Sequence, residues 1–162
     1  MGDFFEDHES LRTLGKGRMG TVKLYRRNVS KSLEVSLSPT PSSSTLKAVK
    51  IIRRSDVKSS AMTARIFNEK KALAAISDNP YTLSLIGTQK DSENLYFIMS
   101  AELGGPLHKH FRSSHSGRFA YTRARHYIMN LISALIYTHD KGFVHRDVKA
   151  SNVLLSRSGS AG

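Results

Sequence analysis

The stretch Val144-His145-Arg146-Asp147-Val148-Lys149-Ala150-Ser151-Asn152-Val153-Leu154-Leu155 constrains this chain more than any other. Its charged centre, residues 145–149, is framed by apolar residues at both ends. A solvated turn has no need of that frame, because apolar flanks pull a segment into a core and hold its polar residues in place. Residues of these types, so held, carry chemistry. Asp147 can orient and deprotonate a hydroxyl, Lys149 can neutralise a phosphoryl group in transfer, and Asn152 can offer its carbonyl oxygen to a magnesium ion.

Upstream, Gly15-Lys16-Gly17-Arg18-Met19-Gly20 has the spacing GxGxxG, whose bare backbone can approach phosphates without side-chain clashes. A dinucleotide-binding glycine motif opens a helix, whereas Thr21-Val22-Lys23-Leu24-Tyr25 continues as an alternating strand. A Walker-type loop needs Lys directly after its last glycine, and Thr21 stands there. A strand-turn-strand flap remains, with an ordinary hairpin as the alternative.

Residues 11–14, 21–26 and 46–52 read as three antiparallel strands, and residues 82–89 and 95–100 as two more around the polar turn Lys90-Asp91-Ser92-Glu93-Asn94. Between the second and third strands, residues 30–45 carry Ser38-Pro39-Thr40-Pro41 and too few apolar residues to pack, which predicts a flexible surface insertion. Over residues 61–76, Met62, Ile66, Leu73 and Ile76 recur at helical spacing, and Asp78-Asn79-Pro80 ends the run. Glu69 falls on that same apolar stripe. A carboxylate there needs a cation, and Lys50, at the end of Ala48-Val49-Lys50, is the candidate.

After Gly104-Gly105-Pro106 the pattern becomes helical. Residues 122–141 place Ala124, Ile128, Leu131 and Leu135 on one stripe, with Thr122 able to cap the helix and Gly142 able to end it. Strands followed by helices predict an α+β lobe hinged to a mostly helical one.

The ordered set of glycine loop, Ala-x-Lys, helix glutamate and His-Arg-Asp-x-Lys-x-x-Asn resembles the eukaryotic protein kinases from about Leu11 to Leu155. Lys149, Arg12-Thr13-Leu14-Gly15 and the run from Leu95-Tyr96-Phe97-Ile98-Met99 to Leu103-Gly104-Gly105 are similar to serine/threonine kinases of the AGC group, the cyclic-nucleotide-dependent type. The resemblance implies a bilobal fold: residues 1–10 as an extension, 11–99 as a five-stranded lobe with one helix, 100–105 as a hinge, and 106–162 as the first part of a helical lobe. It implies the substrates ATP and a protein with a Ser or Thr hydroxyl, and Mg2+ as cofactor.

By that resemblance Gly15, Gly17 and Gly20 cover the ATP phosphates, Val22 and Ala48 line the nucleotide, Lys50 meets the α- and β-phosphates, and Glu69 holds Lys50. Met99 is the gatekeeper. Ser100 and Glu102 belong to the hinge that reads adenine through its backbone. Asp147 is the catalytic base with Lys149 beside it, and Asn152 is a magnesium ligand. Pro106 departs from the pattern, since relatives commonly carry a ribose-binding acid there, and His145 stands where they commonly carry Tyr. The family's Asp-Phe-Gly does not occur within these residues, so the expectation is an N-terminal part, inactive by itself. A pseudokinase or truncated product acting as a nucleotide- or partner-binding module is the alternative.

Other classes find less support. The formal charge of +12 suits polyanions, but its Lys and Arg residues are scattered through every segment and no nucleic-acid motif accompanies them. The chain has no cysteine, so no disulfide framework or thiolate metal site can form, and cytoplasm or nucleus is the expected setting. No apolar run is long enough to span a membrane, and Glu6 stands where a myristoylation signal at Gly2 wants Ser or Thr. His108, His110 and His115 read as surface histidines rather than a metal site, and His139 as a packing residue.

Overall fold

The computed structural model describes residues 4–17, 19–28, 45–112 and 117–156. Residues 30–44 of the insertion expected at 30–45, His115 and residues 157–162 lie outside them. In chain order the elements are α1 (Phe4–Asp7), β1 (His8–Gly17), β2 (Gly20–Arg27), β3 (Leu46–Arg53), a short 3-10 turn (Arg54–Asp56), α2 (Ser60–Ala75), β4 (Leu85–Lys90), β5 (Asn94–Ser100), β6 (Gly105–Pro106), α3 (Leu107–Arg112), α4 (Tyr121–Asp140) and β7 (Leu154–Leu155). They fall into two compact units, one made of Met1–Lys70 with Leu85–Ala101 and the other of Lys71–Ser84 with Glu102–Gly162.

The first unit is built on an antiparallel sheet in the order β1-β2-β3-β5-β4. All five strands predicted from the alternating apolar residues are present, and the fourth begins at Leu85 rather than at residue 82. Thr82 is occupied otherwise, its hydroxyl donating to the carbonyl of Ile76 at 2.5 Å and so closing the turn after α2. The β4–β5 turn is fixed by Asp91, whose Oδ1 accepts the amides of Glu93 and Asn94 at 2.8 and 2.6 Å while Oδ2 accepts the Tyr96 hydroxyl at 2.5 Å. Those three bonds hold the Asp91 carboxyl below the usual carboxylate range.

Directly opposed residues of antiparallel strands share a face. The register pairs Val22 with Lys50 and Lys50 with Phe97, and it pairs Leu24 with Ala48 and Ala48 with Met99. Val22, Leu24, Ala48, Lys50, Phe97 and Met99 therefore lie on one face. Tyr25, Val49, Tyr96 and Ile98 form a core on the other, with Phe4, Phe5 and Ile51 packed against it. Val49 is fully buried there.

α2 takes up the predicted span within one residue. Ser59 starts it, its Oγ accepting the Met62 amide at 3.2 Å, and Met62, Ile66, Glu69, Leu73 and Ile76 all lie away from full exposure.

The second unit is organised around α4. Tyr127 packs with Val153 and Leu155, backed by Leu107, Phe119 and Leu131. The stripe is therefore centred on Tyr127, and Ile128, expected inside, is 54% exposed. Met129, Ile132 and Ile136 share that outer side. The start also differs from expectation: Ala120 precedes the first turn with no side-chain cap, and Thr122 is already inside the helix. Gly142 ends it as expected, with φ +80° and its amide on the His139 carbonyl at 2.8 Å. His139 itself is exposed, so the packing role does not hold.

One close approach depends on Gly104. Its amide donates to the Leu155 carbonyl at 2.8 Å, and a Cβ there would lie 2.6 Å from the carbonyl oxygens of Leu155 and Ser156. Gly104→Ala is expected to force β6 and β7 apart and cost about 1–3 kcal/mol. Gly15→Ala, where a Cβ meets nothing within 4 Å, should stay within about 0.5 kcal/mol of the parent. Denaturant melts of the two variants check this, and equal losses would remove the close contact as the cause.

Candidate active site

The glycines of the flap differ in what they do. Gly17 pairs with Gly20 across the β1–β2 turn, and Gly15 pairs with Val22 beyond an irregularity in β1. Gly20 has φ +131°, and a Cβ on it would lie 2.2 Å from the Ile51 carbonyl oxygen, so this glycine is required by the packing of β2 on β3. Gly15 and Gly17 meet nothing within 4 Å. They border open space. Met19, at the flap tip, is half-buried.

Lys50 projects from the face that also carries Val22, Ala48 and Met99. Its Nζ meets Glu69 Oε1 at 2.5 Å, with the lysine side chain 16% exposed and the glutamate 34%. The helix glutamate is thus on the predicted lysine. At that exposure the pair is intermediate between a surface bridge and a dry one. Met99 and Ala48 are buried, while Ser100 pairs with Lys47 at the end of β5. Glu102 belongs to the second unit and is half-buried.

In the second unit, residues 144–155 are held at their far end. Val153 and Leu155 are core residues, Leu107 donates its amide to the Val153 carbonyl at 2.8 Å, and His108 donates its own to Ala150 at 3.1 Å. His108 is not a surface residue. Its Nδ1 is buried with no partner among the described residues. His110, exposed, places Nε2 2.6 Å from the Gly104 carbonyl. Pro106, the departure noted above, pairs with Leu154.

The anchored segment turns sharply before its charged end. Arg146 takes φ 62°, a left-handed value that costs a side-chain-bearing residue energy and that the surrounding contacts must maintain. Asp147, the next residue, is exposed, and its Oδ2 receives Lys149 Nζ at 2.8 Å and Asn152 Nδ2 at 2.9 Å. Asn152 Nδ2 also donates to the Asp147 carbonyl at 2.9 Å. Both amide hydrogens of Asn152 are thereby used on Asp147, which leaves Oδ1 as the atom suited to a cation. The Asp147 amide approaches His145 Nδ1 at 3.3 Å.

Beside this loop, Leu73, Ile76, Leu131, Leu135 and Val153 line a largely apolar cavity of about 170 Å3 that His145, Lys149 and Asn152 also reach.

The protein kinase domain matches residues 8–161. This chain belongs to the protein kinase family. A cAMP-dependent protein kinase, catalytic subunit-like, of Caenorhabditis briggsae is 34% identical over 151 residues, which are 93% of this chain and 35% of the relative. Human protein kinase C eta type is 32% identical over 154 residues, 95% of this chain and 20% of the relative. A cGMP-dependent protein kinase of Toxoplasma gondii is 31% identical over 155 residues, 96% of this chain and 14% of the relative. The chain spans about a third or less of the length of these relatives. The resemblance to cyclic-nucleotide-dependent kinases that the glycine loop and the Met99 region carry is borne out by these names.

Hydrogen bonds from Lys149 and then from Asn152 hold the Asp147 carboxyl below the usual carboxylate range. For a depressed carboxylate the stabilisation is present above the unfolded value and is lost as pH falls through the folded one. The Asp147–Lys149–Asn152 contacts should therefore persist below the ordinary Asp value of about 3.9. Carboxyl carbon resonances followed through an acid titration check this: a midpoint below that value is expected, rising in Lys149→Met. An ordinary midpoint that Lys149→Met leaves in place would contradict it.

Proposed function

We propose that this chain carries the nucleotide-handling and proton-accepting parts of a serine/threonine protein kinase, which moves the γ-phosphoryl of ATP onto a protein hydroxyl. The observation that carries the reading is the arrangement at Asp147, an exposed carboxylate kept ionised between an ammonium and an amide. An exposed carboxylate oriented by these two contacts can accept the proton of an incoming hydroxyl.

In this reading the first unit handles ATP. Gly15 and Gly17 leave room for phosphate oxygens to approach backbone amides, and Lys50, aimed by Glu69, offers its charge to the α- and β-phosphates. Val22, Ala48 and Met99 supply an apolar surface for adenine, and the backbone of the segment containing Ser100 and Glu102 supplies its hydrogen bonds. Asp147 accepts the proton of the acceptor Ser or Thr hydroxyl. Lys149 shares its ammonium between Asp147 and the negative charge on the transferring group.

Mg2+ fits this donor set through Asn152 Oδ1. Among the described residues, no cluster of three or more His, Asp or Glu stands ready to hold a metal, so phosphate oxygens and water would supply most ligands. When bound, the ion neutralises phosphate charge. Residues 153–162 contain no Asp or Glu, and these 162 residues by themselves are expected to bind nucleotide without sustained transfer.

The AGC-like relatives support the serine/threonine assignment, and the activities in their names belong to those longer proteins. Among the described residues no helix is long and apolar enough to cross a membrane. The absence of cysteine fits cytoplasm or nucleus.

Two variants test the division of roles. Lys50→Met should abolish stabilisation of the chain by Mg-ATP and lower its own stability by about 1–3 kcal/mol, less than a dry pair would lose because Glu69 is partly solvated. Asp147→Asn should leave nucleotide binding nearly unchanged. In protein extended to the length of its relatives, it should cut kcat by about 100-fold or more. Normal ATP stabilisation in Lys50→Met, or unaltered turnover in Asp147→Asn, would overturn the assignment concerned.

A further inference from the structure

The sheet face opposite Lys50 is closed by residues that precede β1. Phe4 and Phe5 stand edge-on to Tyr25, with centroids 5.8 and 5.6 Å away, and Phe5 lies 4.5 Å from Tyr96. These rings cover the core of Tyr25, Val49, Tyr96 and Ile98. A helix of four residues cannot sustain itself, since one turn scarcely repays the entropy of nucleation. Its position depends on what clamps it.

His8 is the clamp. Its ring stacks on Phe4 with centroids 3.8 Å apart and planes 15° apart, and Nδ1–H donates to the Phe4 carbonyl at 2.9 Å. The next turn is tied by the Asn28 amide, which donates to the Asp7 carbonyl at 2.7 Å. The charged groups around His8 come from three elements. Arg27 of β2 is its direct cross-strand partner, and Lys47 of β3 is half-buried nearby, held below the usual lysine range by that burial. Asp7 of α1 opposes them, while Glu9 is engaged by Arg26.

We propose that residues 4–8 are a protonation-sensitive strap: neutral His8 clamps Phe4 and Phe5 onto Tyr25 and Tyr96, and protonating it loosens the back of the sheet whose front carries Lys50. A proton on His8 must be carried by a half-buried ring beside Arg27 and Lys47. Burial is the largest cause holding His8 below the usual histidine range, Arg27 and Lys47 add to it, and the Phe4 carbonyl and Asp7 work against it. The released segment therefore binds a proton more readily than the strapped one. Strapping is complete above the ordinary value of about 6.5 and weakens as pH falls through it.

The consequence reaches Lys50 through one residue. Val49, fully buried under this cluster, precedes Lys50 in β3, so a loosened strap uncovers the strand that presents the lysine.

The test is amide hydrogen exchange of Asn28 in the 162-residue chain, corrected for intrinsic rates, between about pH 7.5 and 5.5. Its protection should fall by about twofold or more over that range. His8→Phe, which keeps a ring on Phe4 without a titrating group, should make protection independent of pH. His8→Lys, charged throughout, should leave the amide unprotected at both ends. The imidazole midpoint of His8, read from its ring proton resonances, should lie below the ordinary value. A pH dependence that survives in His8→Phe, or a midpoint at or above the ordinary value, would overturn the proposal, and the midpoint keeps the test decisive if a variant fails to fold.

Discussion

The first unit depends on the register of three strands. Because β2, β3 and β5 are antiparallel and in step, Lys50 shares a face with Val22, Ala48 and Met99 while Val49 faces the opposite core. A slip by one residue would exchange those faces, burying the lysine and exposing the valine. The hydrophobic cluster on the back of the sheet therefore determines where the ammonium on the front is presented. Gly20 belongs to the same constraint, since only a residue without a Cβ lets β2 pass the Ile51 carbonyl. Packing and chemistry are set by one hydrogen-bond ladder.

The second unit solves a different problem. An exposed carboxylate at Asp147 gains nothing from burial, so its position must come from its neighbours along the chain. Val153 and Leu155 anchor one end in the α4 core, the Gly104 amide fixes Leu155, and the left-handed Arg146 turns the chain. Asn152 and Lys149 then grip Asp147 directly. The same two contacts that orient the carboxylate also hold it below the usual carboxylate range.

What was legible in the sequence follows from periodicity and from chemistry that needs a partner. The five strands and α2 stand out because alternation and 3.6-residue spacing persist through each, and Glu69 on an apolar stripe called for the cation that Lys50 supplies. α1, α3 and the β6–β7 pair are too short to show a period, and tertiary contacts make them. On α4, Tyr127 and Ile128 are neighbours that can each extend the apolar stripe, and the more apolar Ile128 is the one left exposed. The cover from Val153 and Leu155 chooses between them. The glycine motif was visible, but which glycines are structural was not: Gly20 and Gly104 are required by carbonyl oxygens distant in sequence. His108 was hidden for the same reason, since its backbone partner Ala150 lies in the anchored loop.

The central claim is that the Lys50 ammonium, aimed by Glu69, receives ATP phosphate. An ATP analogue carrying an amine-reactive acyl phosphate transfers its acyl group to whichever lysine meets the phosphates, and peptide mass spectrometry locates the mark. The account predicts that Lys50, together with Lys149 at the transferring group, is acylated in preference to the other lysines, that excess Mg-ATP suppresses both marks, and that Glu69→Gln weakens the mark on Lys50. Uniform acylation across the lysines, unchanged by ATP, would contradict it.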